Sequence, residues 1–265
     1  MLRSMYSGIS GLRNFQTKLD VIGNNIANVN TYGFKKGRTI FKDLISQTVA
    51  GASGPGEIRG GVNPKQVGLG SQIAAIDTIH TGGSTQFTGN TLDLAISGDG
   101  FFQVEDEDGT GRVYTRAGNF YMDNTGNIVS GDGKFLVGEG GGHFQIPTDA
   151  QSMSIGQDGT VSYVDADGVL EVLDKIELAK FPNPGGLTKV GGNYFEESVN
   201  SGEPVVAVPL DGGTGAIESG FLEMSNVDLA EEFTEMIVAQ RGFQANTRII
   251  TTSDEILQEL VNLKR

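Results

Sequence analysis

Cysteine is absent from the chain, and histidine occurs at two positions only. Without cysteine there can be no disulfide framework, no thiolate metal site and no cysteine nucleophile, so the fold must be stable without cross-links. His80 and His143 lie far apart in the sequence, and neither has a neighbouring pattern of acidic and histidine ligands. Isolated histidines of this kind are more often incidental than catalytic or metal-binding.

Long apolar runs are also missing. No 18-residue apolar run occurs in the sequence, so we expect no transmembrane helix and no membrane insertion. The N-terminal sequence MLRSMYSGISGLRNFQTKLD lacks the uninterrupted apolar core and the small-residue cleavage site of a secretory signal. If the protein leaves the cytoplasm, we expect an export route that does not remove the N-terminal segment.

Basic residues are scarce in the middle of the chain. Residues 96–220 hold six basic and twenty acidic side chains, which predicts a solvated acidic body and argues against nucleic acid binding. By contrast, residues 1–45 carry a formal charge of +5 and residues 221–265 one of −4. The opposite signs favour pairing of the two termini, within one chain or between neighbouring copies. Each exposed ion pair contributes only ~0.2–1 kcal/mol, so charge would select partners more than hold them.

Signatures of enzyme chemistry are weak. Ser53 and Ser84 lie beside glycines but not in a G-x-S-x-G nucleophile elbow. The acidic run Glu105–Gly109 invites a calcium site, but the EF-hand register places Ala117 where the bidentate glutamate should be, which favours a solvated hairpin tip. Gly98–Gly100 lacks the third glycine and the following helix of a dinucleotide fingerprint, so we expect a turn. We therefore predict no enzyme activity, no cofactor and no bound metal.

What the sequence does contain is a helical pattern at each end. The C-terminal segment has apolar residues at seven-residue spacing: Leu229, Met236, Phe243, Ile250 and Leu257. A second, partly polar set of seam positions is Phe233, Gln240, Thr247, Asp254 and Val261. This is typical of a heptad whose polar seam residues lower stability but fix register. Asp228 and Glu231 have the spacing of a capping box, which predicts the start of the helix.

The N-terminal segment is a second amphipathic helix by its spacing. Its apolar positions recur three, four or seven residues apart: Leu2, Met5, Ile9, Leu12, Leu19, Ile22, Ile26 and Val29. Both helices fit an ordinary globular core about as well as an assembly interface on pattern alone. Their placement at the two termini, and their opposite charge, favours assembly.

The middle of the chain has the pattern of β-structure. Short runs of β-branched and aromatic residues are separated by turn dipeptides such as Asp108-Gly109, Asp132-Gly133 and Asp158-Gly159. The sequence therefore predicts an α+β fold: long N- and C-terminal helices form a coiled-coil-like stem, and a mainly antiparallel β domain, a sandwich or open barrel, is inserted between them. The expected domains are 1–35 with 221–265 for the helices, 36–90 for an extended glycine-rich connector, and 91–220 for the β-rich domain.

Several short motifs carry a resemblance to a known family. They are Asn24-Asn25-Ile26-Ala27-Asn28 with Thr31, Gly33, Phe34 and Lys35; Ile96–Phe102; Thr115–Phe120; Phe221–Leu229; and Met236–Arg241. In this order, and along the whole chain, they resemble the bacterial flagellar rod and hook proteins.

The resemblance implies a structural subunit of the flagellar axis, exported through the type III apparatus without cleavage. Its terminal helices would stack into an inner tube around the export channel, and its β domain would lie outside. The implied partners are further copies in a helical homopolymer, the neighbouring rod, hook and junction proteins, the assembly cap and the export apparatus. The predicted assembly interface comprises Leu2, Ile9, Leu12, Leu19, Ile22, Asn24, Asn25, Ile26, Asn28, Leu229, Phe233, Met236, Gln240, Phe243, Ile250, Leu257 and Val261.

Two axial positions remain open at this point. The ending Ile256–Arg265 and the stretches Gly60–Pro64 and Gln66–Gly70 resemble a hook protein, whereas the length and the glycine-rich insert resemble a distal rod protein. The sequence gives a slight preference to the hook. Among other classes, a secreted β-rich adhesin would share the acidic β domain but should carry a cleavable signal. A cytoplasmic enzyme should show clustered titratable groups.

Overall fold

The structure is a computed structural model that describes residues 2–56 and 60–263, apart from the side chain of Leu2. Two long helices, α1 (Leu2–Ala27) and α2 (Leu229–Asn262), flank a series of strands, which confirms the predicted α+β class. The strands are β1 (Gly37–Asp43), β2 (Ser46–Ala50), β3 (Lys65–Gly68), β4 (Ser71–Thr78), β5 (Thr85–Phe87), β6 (Leu94–Ser97), β7 (Phe101–Glu105), β8 (Val113–Thr115), β9 (Phe120–Met122), β10 (Ile128–Ser130), β11 (Phe135–Leu136), β12 (Ser152–Ile155), β13 (Thr160–Val164), β14 (Leu170–Lys175), β15 (Leu178–Lys180), β16 (Thr188–Gly191), β17 (Tyr194–Glu196), β18 (Val205–Ala207), β19 (Ala216–Ser219) and β20 (Phe221–Glu223).

The chain forms two compact units. The first unit comprises Met1–Ala27, Gly37–Asp77 and Asp228–Arg265, and the second comprises Asn28–Lys36 and Thr78–Val227. The glycine-rich stretch that we expected as a connector contributes regular structure to the first unit. Its strands β2 and β3 pair antiparallel, with Ser46 opposite Gly68. Their side chains are mostly exposed, so backbone hydrogen bonds rather than a buried apolar pattern define this hairpin.

The start of α2 follows from its capping residue. The Asp228 carboxylate accepts hydrogen bonds from the backbone N–H groups of Ala230 and Glu231, at 2.8 and 3.3 Å. Two of the helix's unpaired N–H groups are thereby satisfied, as the Asp-x-x-Glu spacing predicted. α1 ends at Ala27, and the turn that follows is closed by a hydrogen bond from the Thr31 hydroxyl to the Asn28 side chain at 3.2 Å.

The second unit is built on antiparallel sheets. The largest follows the order β16-β17-β8-β7-β11-β10-β9, and β15 adds to it by pairing with both β7 and β18. A three-stranded sheet β12-β13-β14 and the pairs β19-β6 and β20-β5 complete the described strands of the unit. The turns fall where the Asp-Gly dipeptides predicted them, and Gly109, Gly133 and Gly159 adopt the positive φ that such hairpins require.

The core of the second unit follows the two-residue period of its strands. On β7, Phe102 and Val104 enter the main hydrophobic cluster, which also takes residues from β6, β9, β13 and β19. The alternate residue Phe101 lies in a smaller cluster with Tyr114 and Phe195. Because successive side chains on a strand point to opposite faces, β7 is buried on both sides. The second unit therefore has a hydrophobic core of its own, on both faces of β7.

Candidate assembly surface on the terminal helices

Within the first unit, α1 and α2 run antiparallel in a register that small residues set. Gly8 lies beside Ile250, Gly11 beside Asn246, and Gly242 beside Phe15. A Cβ added at Gly11 would lie 2.9 Å from the Asn246 side chain, and one at Gly242 only 2.6 Å from the Phe15 ring. The helices thus approach closely because these positions carry no side chain.

The buried face of α2 differs from the predicted seam. Its buried residues are Glu232, Ala239 and Ser253, whereas Phe233 is 50% and Val261 67% exposed. A strict seven-residue repeat drifts by about 20° per heptad around a straight α-helix. Of this repeat, Met236, Ile250 and Leu257 are half-buried, whereas Leu229 and Phe243 are 40% and 36% exposed.

Polar groups fix the other end of the helix pair. Asn25 is buried, and its amide donates to the Gly37 carbonyl at 2.9 Å and to the Glu232 carboxylate at 3.1 Å. The Gly37 N–H donates back to Asn25 Oδ1 at 2.9 Å. Three residues beyond Glu232 on α2, Glu235 forms an ion pair with Lys18 of α1 at 2.5 Å. Asn25 thus holds α1, α2 and the start of β1 together, and the opposite charges of the two termini meet within one chain.

The structure places the remaining members of the predicted interface in three groups. The side chain of Leu2 lies outside the described part. Ile22 and Asn25 are buried within the chain. The others are exposed or half-buried in the single chain: Ile9, Leu12, Leu19, Asn24, Ile26, Asn28, Leu229, Phe233, Met236, Gln240, Phe243, Ile250, Leu257 and Val261.

The helices leave much apolar surface uncovered. On α2, Ile237 and Val238 are 55% and 53% exposed, and Leu260 is 49% exposed. None of these three belonged to the predicted seam. In the described part of the first unit, Ile22 and Ala239 are the only fully buried hydrophobic residues. Extended apolar faces of this kind mark interaction sites in soluble proteins.

The second unit contains a buried ionic cluster that the sequence analysis did not predict. Glu223, 2% exposed, pairs with Lys35 at 2.5 Å through one carboxylate oxygen and with Arg116 at 3.3 Å through the other. Lys35 also donates to the Thr81 carbonyl, and Arg116 donates to the Gly98 carbonyl at 2.7 Å. Nearly every member of this network therefore has several partners, which is what burial of charge requires.

Four of the motifs that carried the family resemblance meet at this cluster. Lys35, Gly98, Arg116 and Glu223 come from four separate motifs of the sequence. Gly33, with φ of 67°, donates its N–H to the Glu223 carbonyl, and a Cβ there would lie 2.4 Å from the backbone of Ala117. The charged residues stood in the quoted motifs, but sequence spacing alone could not show that they pair.

Burial changes the proton affinities around the cluster. Removal from water lowers the pKa of Lys35, and the Glu223 carboxylate opposes that shift. The pKa of Arg116 is lowered by burial in the same way. Beside the cluster, His80 packs against the rings of Phe101 and Phe195. Burial, with the charges of nearby lysines and Arg116, lowers the pKa of His80 to about 4, so this histidine is neutral at physiological pH.

The described residues hold no group of three or more histidine, cysteine or carboxylate side chains placed to bind a metal ion. The acidic run Glu105–Gly109 forms the turn between β7 and β8, where Arg112 pairs with Glu105 at 2.8 Å. Gly98–Gly100 is likewise the turn between β6 and β7. No helix in the described part of the chain has the length and apolar character needed to cross a membrane.

Comparison with known proteins identifies the class to which this architecture belongs. Three family models match successive parts of the chain: a flagella basal body rod protein model over residues 5–35, a flagellar hook protein FlgE/F/G D1 domain model over 95–163, and a flagellar basal body rod FlgEFG protein C-terminal model over 218–263. The chain belongs to the family of flagellar basal-body rod and hook proteins, which are structural proteins of the bacterial flagellum and not enzymes.

Individual relatives cover the whole chain. It is 65% identical over 266 residues to the flagellar basal-body rod protein FlgG of Bacillus subtilis (strain 168), with all of both chains covered. It is 39% identical over 270 residues to the FlgG of Borreliella burgdorferi, again over the full length of both. The flagellar hook protein FlgE of Borreliella burgdorferi is 33% identical over an alignment of 443 residues that covers all of both chains. Family membership removes the support for the adhesin and enzyme alternatives.

Proposed function

We propose that this protein is the subunit of the flagellar distal rod, polymerising helically through its terminal helices around the export channel and transmitting motor torque. Rod proteins named FlgG match it over the full length of both chains at 65% and 39% identity. The hook relative needs an alignment of 443 residues, so it carries many residues with no counterpart here. These matches favour the distal rod over the hook, to which the sequence alone gave a slight preference.

One observation carries the assembly part of the proposal. The described part of the first unit has only two fully buried hydrophobic residues, Ile22 and Ala239, yet its helices expose a long series of apolar side chains. A helix pair of this kind gains stability when further copies cover the exposed faces. Contacts that do not close into a ring generate a helical filament, which is the geometry of a rod.

The partners of the proposed rod are other copies of this chain and the adjoining axial proteins. These are the neighbouring rod and hook proteins, the junction proteins, the assembly cap and the type III export apparatus. The predicted interface residues that stay exposed in the single chain are the surface offered to these partners. We leave Ile22 and Asn25 out of that surface because both side chains are already buried within the chain.

Immunogold electron microscopy of isolated hook and basal-body complexes tests the proposal. An antibody against the folded second unit should label the straight segment below the hook. The matched control is the same preparation from cells that lack the protein. Label along the curved external segment would make this chain a hook subunit, and absence of label from both segments would overturn an axial role.

A further inference from the structure

The last two turns of α2 present a stripe of apolar side chains that remains exposed among the described residues of the first unit. Ile256, Leu260 and Leu263 are 43%, 49% and 82% exposed. Their spacing of four and three residues places them on one face of the helix. Glu255 and Glu259 flank this stripe, and neither forms an ion pair within the described residues. We call residues 255–263 the tail segment.

The first unit also contains an open groove. It has a volume of about 400 Å³ and is lined by Tyr6, Ile9 and Arg13 of α1 and by Leu44 and Leu69 beside the β2–β3 hairpin. Tyr6 is 69% exposed and Ile9 is 38% exposed. Arg13 is exposed and has no ion-pair partner in the described part of the chain. Four polar side chains, those of Ser10, Asn14, Ser71 and Gln72, complete the lining. The groove is therefore largely apolar, with several polar groups and one cation at its side.

The tail segment and the groove are complementary in apolar character and in charge. A helix that offers apolar residues at i, i+4 and i+7 is the usual occupant of an apolar groove on a protein. The flanking carboxylates of the tail complement Arg13, and such charge complementarity fixes partner and register. The tail cannot reach the groove of its own chain, because α2 is helical without a break from Leu229 to Asn262.

We propose that the tail segment of one copy docks head to tail into the α1 groove of another copy. The inference rests on the proposed polymer and adds the pair of surfaces that joins successive subunits. Each copy offers one tail and accepts one tail, and because the copies of a rod are related by a helical step rather than a two-fold axis, the contact repeats without closing into a dimer. A contact of that type extends a filament.

The absence of cysteine makes a cross-linking test direct. A chain carrying Ile9→Cys and Leu260→Cys is expressed in cells lacking the natural protein, and isolated basal bodies are treated with an oxidant. We expect loss of the monomer band into a ladder of covalent oligomers. The matched control carries Ile9→Cys and Val238→Cys, because Val238 is a similarly exposed apolar residue of α2 outside the tail. It should remain monomeric.

The outcomes separate this inference from the proposed function. If the variant is present in isolated rods but stays monomeric, stops at dimers, or cross-links no better than the control, the docking inference is wrong while the rod assignment stands. A neighbouring α1 or another axial protein would then occupy the groove. If antibody finds the natural protein outside the flagellar axis, the rod assignment fails and the inference fails with it.

A charge exchange gives a second, independent readout. Arg13→Glu should reduce the number of complete flagella per cell, and so should Glu259→Arg. The two substitutions combined in one chain should restore much of that loss, because the exchanged charges again face each other between copies. Failure of the combined variant to exceed either single variant would contradict the pairing. Arg13 and Glu259 are both exposed, so neither substitution should prevent folding.

Discussion

The two units of this chain solve the problem of stability differently. The second unit buries a continuous set of aromatic and aliphatic side chains and a paired ionic cluster. The first unit has two long helices that approach closely at Gly8, Gly11 and Gly242, and most of their larger apolar residues are exposed or half-buried. This difference supports the proposal that neighbouring copies complete the first unit, and it predicts that the second unit is the more stable of the two in the monomer.

The comparison can be tested most strongly with a matched pair of phenylalanines. Phe102 is fully buried against Phe120, so Phe102→Ala should destabilise the second unit by about 3–5 kcal/mol. Phe233 is 50% exposed on α2, so Phe233→Ala should change the stability of the purified monomer by less than about 0.5 kcal/mol. It should nevertheless reduce incorporation into flagella. Denaturant unfolding measures the stability of each monomer, and counts of flagella per cell measure incorporation. Equal destabilisation of the monomer by Phe102→Ala and Phe233→Ala would contradict the difference between the two units.

The ionic cluster offers the next largest effect. Glu223→Gln keeps the shape of the side chain but leaves the charges of Lys35 and Arg116 buried without a counterion, which should cost about 3–5 kcal/mol. The control Glu218→Gln changes a half-buried carboxylate with no ion pair in the described residues, and should alter stability by less than about 0.5 kcal/mol. Urea unfolding of both variants measures this difference in stability. Similar midpoints for the two variants would mean that the cluster is not important for stability.

His80 should make the second unit sensitive to mild acid. Its pKa is about 4 in the folded chain and near 6.5 in an unfolded one, so the unfolded chain binds more protons between these pH values. The free energy of unfolding should therefore fall as the pH is lowered through this window, by at most roughly 3 kcal/mol from this group. In the variant His80→Phe, a ring that cannot be protonated takes the place of His80 between Phe101 and Phe195, so this pH-dependent loss of stability should disappear. Its stability relative to wild type should rise between pH 7 and pH 4.5; a constant difference would contradict the assignment.

Substitutions at two glycines of the first unit should have the smallest effects. A Cβ at Gly242 would lie 2.6 Å from the Phe15 ring, whereas a Cβ at Gly23 would meet no atom within 4 Å. Gly23→Ala should raise helix stability by about 0.5–1 kcal/mol because alanine is the better helix former. At Gly242 the added Cβ would clash with the Phe15 ring, so Gly242→Ala should lower the stability of the helix pair by about 1 kcal/mol. Helix content by circular dichroism should rise in the first variant only.

Local rules made much of the fold predictable. Runs of β-branched and aromatic residues and the Asp-Gly turns indicated the β-rich second unit, and Asp228 marked the start of α2. The β2–β3 hairpin was not predicted, because its small and glycine-rich residues give no buried apolar pattern.

The candidate site was harder to predict than the elements. The heptad located the helix, but it did not show which residues of that helix are buried within the single chain, namely Glu232, Ala239 and Ser253. Whether its exposed members form the assembly interface stays a prediction. The ionic cluster joins residues as far apart as Lys35 and Glu223, and no local rule predicts which distant charges pair. Its members stood in the family motifs, so the resemblance identified the residues without giving their role.

The most direct test of the account is amide hydrogen exchange of the full chain, compared between the purified monomer and isolated basal bodies. Opening free energy differs among regions of a protein, and exchange reports it segment by segment. We expect α1 and α2 to exchange rapidly in the monomer while β6, β7 and β8 stay protected, and we expect both helices to become protected in the assembled rod. Helices protected as strongly as those strands in the monomer would contradict the claim that neighbours complete the first unit.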